Sequence, residues 1–237
     1  MLRRCSLWLR TRTTCATNVN VRSFLATVFL SVSTLLAQSV TSRSGSIVYV
    51  DAAGSERQIT AGHDDRRPSL SLDGRSVVFV RVTNTGPYPS QPKEKQVLES
   101  ELWLADISGR TRPAVILRGS VITPDRRPLT SFFAPQFAPA GEFVYFLAEF
   151  SATSNALCRL DVSRHQASFL TGGVIRFAVL TRGVHRGQII ASMRTASVNP
   201  EQGISHPFYI LDSHGRQIRR VADESADRRT GGAWRPG

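Results

Sequence analysis

Cysteine is almost missing from this chain. Cys5, Cys15 and Cys158 are the only three, too few for a disulfide framework, and Cys158 reads as a small apolar strand residue. Lysine is as scarce: of 30 basic residues only Lys93 and Lys95 are not arginine. The formal charge of +12 is therefore carried by scattered arginines. It lacks the one-sided basic face with interleaved aromatics that nucleic-acid binding uses, so no nucleic-acid partner is expected. Catalytic signatures are absent too. There is no Gly-x-Ser-x-Gly elbow, no His-Glu-x-x-His, no Cys-x-x-Cys and no phosphate-cradling glycine loop. The five histidines, His63, His165, His185, His206 and His214, have no metal-ligand spacing. His63-Asp64-Asp65 reads as a solvated loop, since calcium wants six to eight oxygens. No catalytic residue, cofactor or metal is expected.

Acidic residues are missing before Asp51, where Arg3, Arg4, Arg10, Arg12, Arg22 and Arg43 supply half of the excess charge. Phe24–Ala37 is uncharged and mostly apolar, yet shorter than the about 20 residues a membrane span takes. Residues 1–38 are read as a signal peptide, with Leu35-Leu36-Ala37-Gln38 as the cleavage region. That implies a periplasmic or secreted protein with no stable membrane span after cleavage. Three alternatives stay open: a mitochondrial presequence, a start near Val21, and an uncleaved anchor.

What the sequence does contain is a block that occurs twice. Arg67-Pro68-Ser69-Leu70-Ser71-Leu72-Asp73-Gly74 precedes the strand-like Ser76–Val80, and Ala134-Pro135-Gln136-Phe137-Ala138-Pro139-Ala140-Gly141 precedes Phe143–Leu147. Repetition at this scale means stacked β-units. Asp73, Gly74 and Gly141 are turn formers, because Asp-Gly and Gly tolerate positive φ. Glu101–Asp106 and Pro113–Leu117 complete the first full unit; Ala156–Asp161 and Ala167–Leu170 complete the second. A third unit is read in Val174–Val179, Gly187–Ser192, Pro207–Asp212 and Gln217–Val221, and a half unit in Gly45–Thr60. Four equivalent strands end in Asp51, Asp106, Asp161 and Asp212, where a carboxylate can take backbone N–H groups of the turn beyond.

Ser71-Leu72-Asp73-Gly74 resembles the Ser-Pro-Asp-Gly turn of TolB-type repeats, within the WD-repeat-like β-propellers. Ala138-Pro139-Ala140-Gly141 is similar, and the Ile59-Thr60 and Leu170-Thr171 pairs resemble the Leu-Thr that separates such repeats. The resemblance implies an all-β fold: a partial or open β-propeller of four-stranded antiparallel blades, about three and a half repeats over residues 45–222. It also implies a binding module whose partner is a protein or envelope component. Residues 223–237 are expected to be a disordered tail. Missing blades leave open edges, so a homodimer is an expectation to test.

Loops carry binding on such scaffolds. Thr83–Gln96, with Tyr88, Lys93 and Lys95, is read as a partner-binding arm or a disordered insertion. Pro124–Pro128 offers Arg126 and Arg127 for an anionic group, and Met193–His206 is a third long connection. An enzyme-associated propeller, peptidase- or carbohydrate-related, is the alternative; it requires His63, Asp64, His185 or His206 to converge at one axial mouth. A degenerate propeller fragment is the third reading.

Overall fold

The computed structural model describes residues 38–61, 63–87, 96–196 and 204–223, and every regular element among them is a β-strand. The strands pair antiparallel with their sequence neighbours, as short apolar segments joined by tight turns do. The first sheet holds β1 (Ser39–Arg43), β2 (Ser46–Val50) and β3 (Glu56–Gln58); the second holds β4 (Asp65–Leu70), β5 (Ser76–Pro87), β6 (Gln96–Asp106) and β7 (Ala114–Leu117). A small hairpin, β8 (Val121–Ile122) and β9 (Pro128–Leu129), leads to β10 (Phe132–Phe137), β11 (Phe143–Ser151), β12 (Ser154–Asp161) and β13 (Gln166–Val179). The chain continues through β14 (Ile189–Met193), the short pair β15 (Thr195–Ala196) and β16 (Ile204–Ser205), then β17 (Pro207–Leu211) and β18 (Gln217–Asp223). Four-stranded meanders in succession are propeller blades, and the array is an all-β partial propeller.

Alternation along each strand sorts its side chains onto two faces, and consecutive blades share a core. Ile47 and Tyr49 of the first sheet meet Val77, Phe79 and Ala105. The opposite face of the second sheet, with Val78, Val80 and Leu102, meets Phe132, Phe146 and Cys158. The far face of that blade, with Tyr145, Leu147 and Leu157, meets Phe177, Ile189 and Leu211. Burial within β12 pushes the Cys158 thiol up to about 12, so it packs as an apolar residue. The outer face of the first sheet is mostly polar: Ser39, Arg43, Glu56 and Gln58 are exposed there, and Arg43 donates to Glu56 at 2.7 Å.

Three elements differ from the expected pattern. The first sheet gains β1, ahead of Gly45, because Ser39–Arg43 turns only Val40 and Ser42 toward the neighbouring sheet. Leu170-Thr171 stands where one unit passes to the next, but the strand does not end there: β13 continues beyond it, its first half pairing with β12 and its second with β14. Gly172-Gly173 makes the passage possible, Gly173 with φ of 77° and Gly172 lying where a side chain would strike the Phe150 ring. The second and third full units are thereby one seven-stranded sheet. Finally, the long connections Thr83–Gln96 and Met193–His206 contain paired strand. Residues 83–87 extend β5 and pair with the start of β6 as far as Pro87 opposite Gln96, and β15–β16 forms a second ribbon.

A charged row crosses the second sheet. Register sets Asp65, Arg81 and Glu101 side by side on β4, β5 and β6. Asp65 is fully buried and accepts two hydrogen bonds from the Arg81 guanidinium, at 2.6 and 3.0 Å. Arg81 stacks on Trp103 at 4.0 Å, the Trp103 indole donates to Glu101 at 2.9 Å, and Arg118 donates to Glu101 at 2.6 Å. At the same positions the next blade has Phe132, Ala148 and Ala156, all buried and apolar.

The five structured aspartate turns lie at the other end of the strands. Asp51 accepts from Ala53 and Ser55, Asp106 from Ser108, Asp161 from Ser163 and Arg164, and Asp212 from His214 and Arg216. Asp73 accepts from the Ser71 hydroxyl at 2.6 Å and the Arg75 amide at 3.1 Å. Hydroxyl donors hold Asp73, Asp106 and Asp161 below their usual range. At Asp212 burial pushes upward, but the Arg216 amide and side chain outweigh it.

Two outcomes follow from these contacts. Arg81→Met leaves Asp65 buried without a cation and is expected to cost about 3–5 kcal/mol in urea denaturation; adding Asp65→Asn should recover a large part. No recovery would mean that Arg81 acts through its packing on Trp103. Because Asp73, Asp106, Asp161 and Asp212 have folded values below their ordinary 3.8, the stabilisation they contribute is complete above that pH and drains away as pH falls through the lowered values. The double variant Asp106→Asn and Asp161→Asn should therefore show a flatter urea midpoint between about pH 4 and 2 than the natural chain.

Candidate functional site

The strands give the blades two unlike ends. At one end are the turns that begin at Asp51, Ser71, Asp106, Ala138, Asp161, Leu180 and Asp212. Each is closed by its own backbone bonds, and Asp51, Asp73, Asp106, Asp161 and Asp212 spend their acceptors inside their own loops. This is the turn end. At the other end are the β5–β6 extension, the β8–β9 hairpin and the β15–β16 ribbon, which make it the ribbon end.

A cleft of about 140 Å³ opens at the ribbon end, where the second sheet meets the next blade. Its lining includes Val80, Val82, Phe132 and Phe133, with Arg66 and Arg67 at the rim and Ser100 and Ser131 between. The backbone explains why two arginines stand there. β4 changes register between Arg66 and Ser69, and Arg67 takes φ of 51° ahead of Pro68. β10 does the same at Ala134, φ 50°, ahead of Pro135. The bulge is therefore a device of the blade, shared by both copies of the repeated block; an arginine occupies it in one copy and an alanine in the other. Arg67 lies over the Phe133 ring with its guanidinium carbon 5.1 Å from the centroid. Among the described residues no carboxylate is within ion-pair distance of it. Arg66 donates to Asp64 through two nitrogens, at 2.5 and 2.7 Å, both side chains partly exposed. Ser100 ties the blades together beneath, its hydroxyl accepting from the Phe132 amide at 2.7 Å.

The β8–β9 hairpin carries Arg126 and Arg127. The Thr123 hydroxyl donates to Asp125, which holds that carboxyl below its usual range, and accepts the Arg127 amide at 2.8 Å. Arg126 is exposed at the apex with φ of 63°, and Arg127 lies over Phe150 at 4.3 Å. Tyr88, Lys93 and Lys95 fall outside the described residues. Asp73 and Gly74 form the turn after β4, and Gly141 the turn after β10; the two glycines have φ of 70° and 83°.

Asp65 corrects the reading of His63-Asp64-Asp65 as a solvated loop, since Asp65 is fully buried against Arg81. The local run of five polar residues hides this; the partner lies sixteen positions on and is found only through strand register. The cleft also went unread, because its lining comes from four separate strands and loops. A signal did exist: the residue before proline in the repeated block is Arg in one copy and Ala in the other. His63 and Asp64 lie at the ribbon end, whereas His185 sits in the turn-end loop between β13 and β14, bonded to Gln188 at 2.8 Å and contacted by Arg219 at 3.2 Å. His185 therefore stands at the opposite end of the strands from His63 and Asp64. Among the described residues no three His, Cys, Asp or Glu side chains are grouped to hold a metal ion.

No family model and no curated protein matches the chain. Among solved structures it is similar to the β-propeller domain of the Trilobed protease from Pyrococcus furiosus, at 14% identity and a TM-score of 0.46, over 74% of this chain and 48% of that one. It is also similar to an acylaminoacyl peptidase, at 11% identity and a TM-score of 0.44, over 67% of this chain and 25% of that one. A third likeness is to a putative TolB from Agrobacterium tumefaciens, at 12% identity and a TM-score of 0.34, over 78% and 76%. The chain thus spans about half or less of the first two. The likeness is one of fold, and no residue role passes with it.

Proposed function

We propose that the chain is a non-catalytic, exported binding module that engages a protein or envelope component through its ribbon end. The observation that carries this reading is the contrast between the two ends. Turn-end carboxylates are committed to their own loops. The ribbon end projects paired strands beyond the blades and holds an arginine with no carboxylate partner among the described residues. Projecting ribbons offer unpaired backbone groups along their edges, which a partner segment can satisfy. The apolar stretch Phe24–Ala37 with Arg22 ahead of it supports export to the periplasm or outside the cell.

The test is affinity capture with a tagged chain, cross-linked in an envelope extract of the native host. A second bait has residues 88–95 replaced by Asn-Gly, which closes the β5–β6 ribbon by a two-residue turn. The full chain should retain a defined protein that the shortened chain loses, while both melt at the same temperature. Equal capture by both baits would overturn the role of the ribbon, and peptide or glycoside hydrolysis by the purified chain would overturn the non-catalytic reading.

A further inference from the structure

We infer that the Arg66–Arg67 cleft receives one apolar side chain of an extended, acidic segment of the partner protein. This rests on the binding-module reading and names the chemistry its partner must present.

Size comes first. At about 140 Å³ the cleft is well below the roughly 300–1,000 Å³ of pockets that enclose a small molecule. It has room for one side chain, and that side chain must arrive attached to a larger body. The interior sets its character. Val80 and Phe132 are 3% exposed, Val82 and Phe133 are partly buried, and a polar group placed among them would lose water without replacement. The rim sets the charge. Arg67 is fixed over the Phe133 ring by a cation–π contact, so its guanidinium is oriented before any partner arrives, and its donors meet no carboxylate among the described residues. A carboxylate flanking the inserted side chain would complete the set, as paired donors of an arginine are suited to carboxylate geometry. Arg66 is already paired one-for-one with Asp64, so the unmatched charge at the rim is that of Arg67, which favours an acidic residue beside the anchor.

Both arginines are exposed and stand outside the cores, so replacing them leaves the fold intact. Fluorescence anisotropy on the full chain would use labelled peptides with Asp-Phe-Glu, Asp-Ala-Glu or Lys-Phe-Lys at the centre of an otherwise neutral sequence. The Asp-Phe-Glu peptide should bind, and binding should weaken as salt rises. Removing the phenyl ring, reversing the flanking charge, or introducing Arg67→Glu should each weaken binding roughly tenfold or more, the scale of a lost charge-assisted bond or buried side chain. Arg164→Glu at the turn end should leave it unchanged. Equal affinity for the acidic and basic peptides, or equal affinity of the Arg67→Glu chain, would overturn the inference. If the tagged chain still captures its envelope partner while no peptide binds, the module reading stands and the cleft assignment alone fails.

Discussion

A carboxylate taken out of water dictates its surroundings, and Asp65 dictates them for the second sheet and its seam with the first. Its charge obliges Arg81 to lie across the second sheet. That fixes Trp103 beneath the guanidinium, Trp103 orients Glu101, and Glu101 draws in Arg118 from beyond β7. The backbone of the same residue joins two sheets: its amide donates to Gly45 at 3.1 Å, and its carbonyl accepts the Ser42 hydroxyl at 2.6 Å. Replacement of such a pair by apolar residues is often neutral or favourable elsewhere, and the next blade has made that choice with Phe132, Ala148 and Ala156. Keeping the charged row in one blade fixes strand register where a one-residue slip would bury a lone charge.

The division of labour between the two ends follows from strand geometry. Alternate connections of a meander fall on opposite ends, so a sequence can lengthen one set without disturbing the other. Here the turn-end loops stay short and close on their own aspartates, while the ribbon-end connections are lengthened in two blades. The inter-blade bulge falls at the ribbon end as well, and one arginine placed on it turns a structural kink into the rim of a cleft.

Much of the fold could be read from sequence, because the signals for it are local. Alternating apolar residues, the Asp73-Gly74 turn and the strand-closing aspartates each announce themselves within a few positions, and the strands built on them are present. What escaped was decided at a distance. Ser39–Arg43 has a polar composition suited to the outer sheet of a stack. Thr83–Pro87 contains Asn, Gly and Pro, the vocabulary of loops, yet forms strand by pairing with the start of β6. Leu170-Thr171 has the composition of a separator, and only Gly172-Gly173 behind it lets the strand continue. The candidate site was less legible still, since Arg67 and Phe133 are distant in sequence and meet only when two blades pack.

The shared strand β13 changes what kind of object the last two blades are. In an array of separate repeats each unit can detach at the cost of one interface. Here the outer strand of one blade and the inner strand of the next are a single stretch of chain, held by hydrogen bonds along both halves. Peeling away the final blade must unzip a strand that the preceding blade still grips. The pair therefore opens as one cooperative block, and mechanical load entering through β18 passes directly into the middle of the molecule.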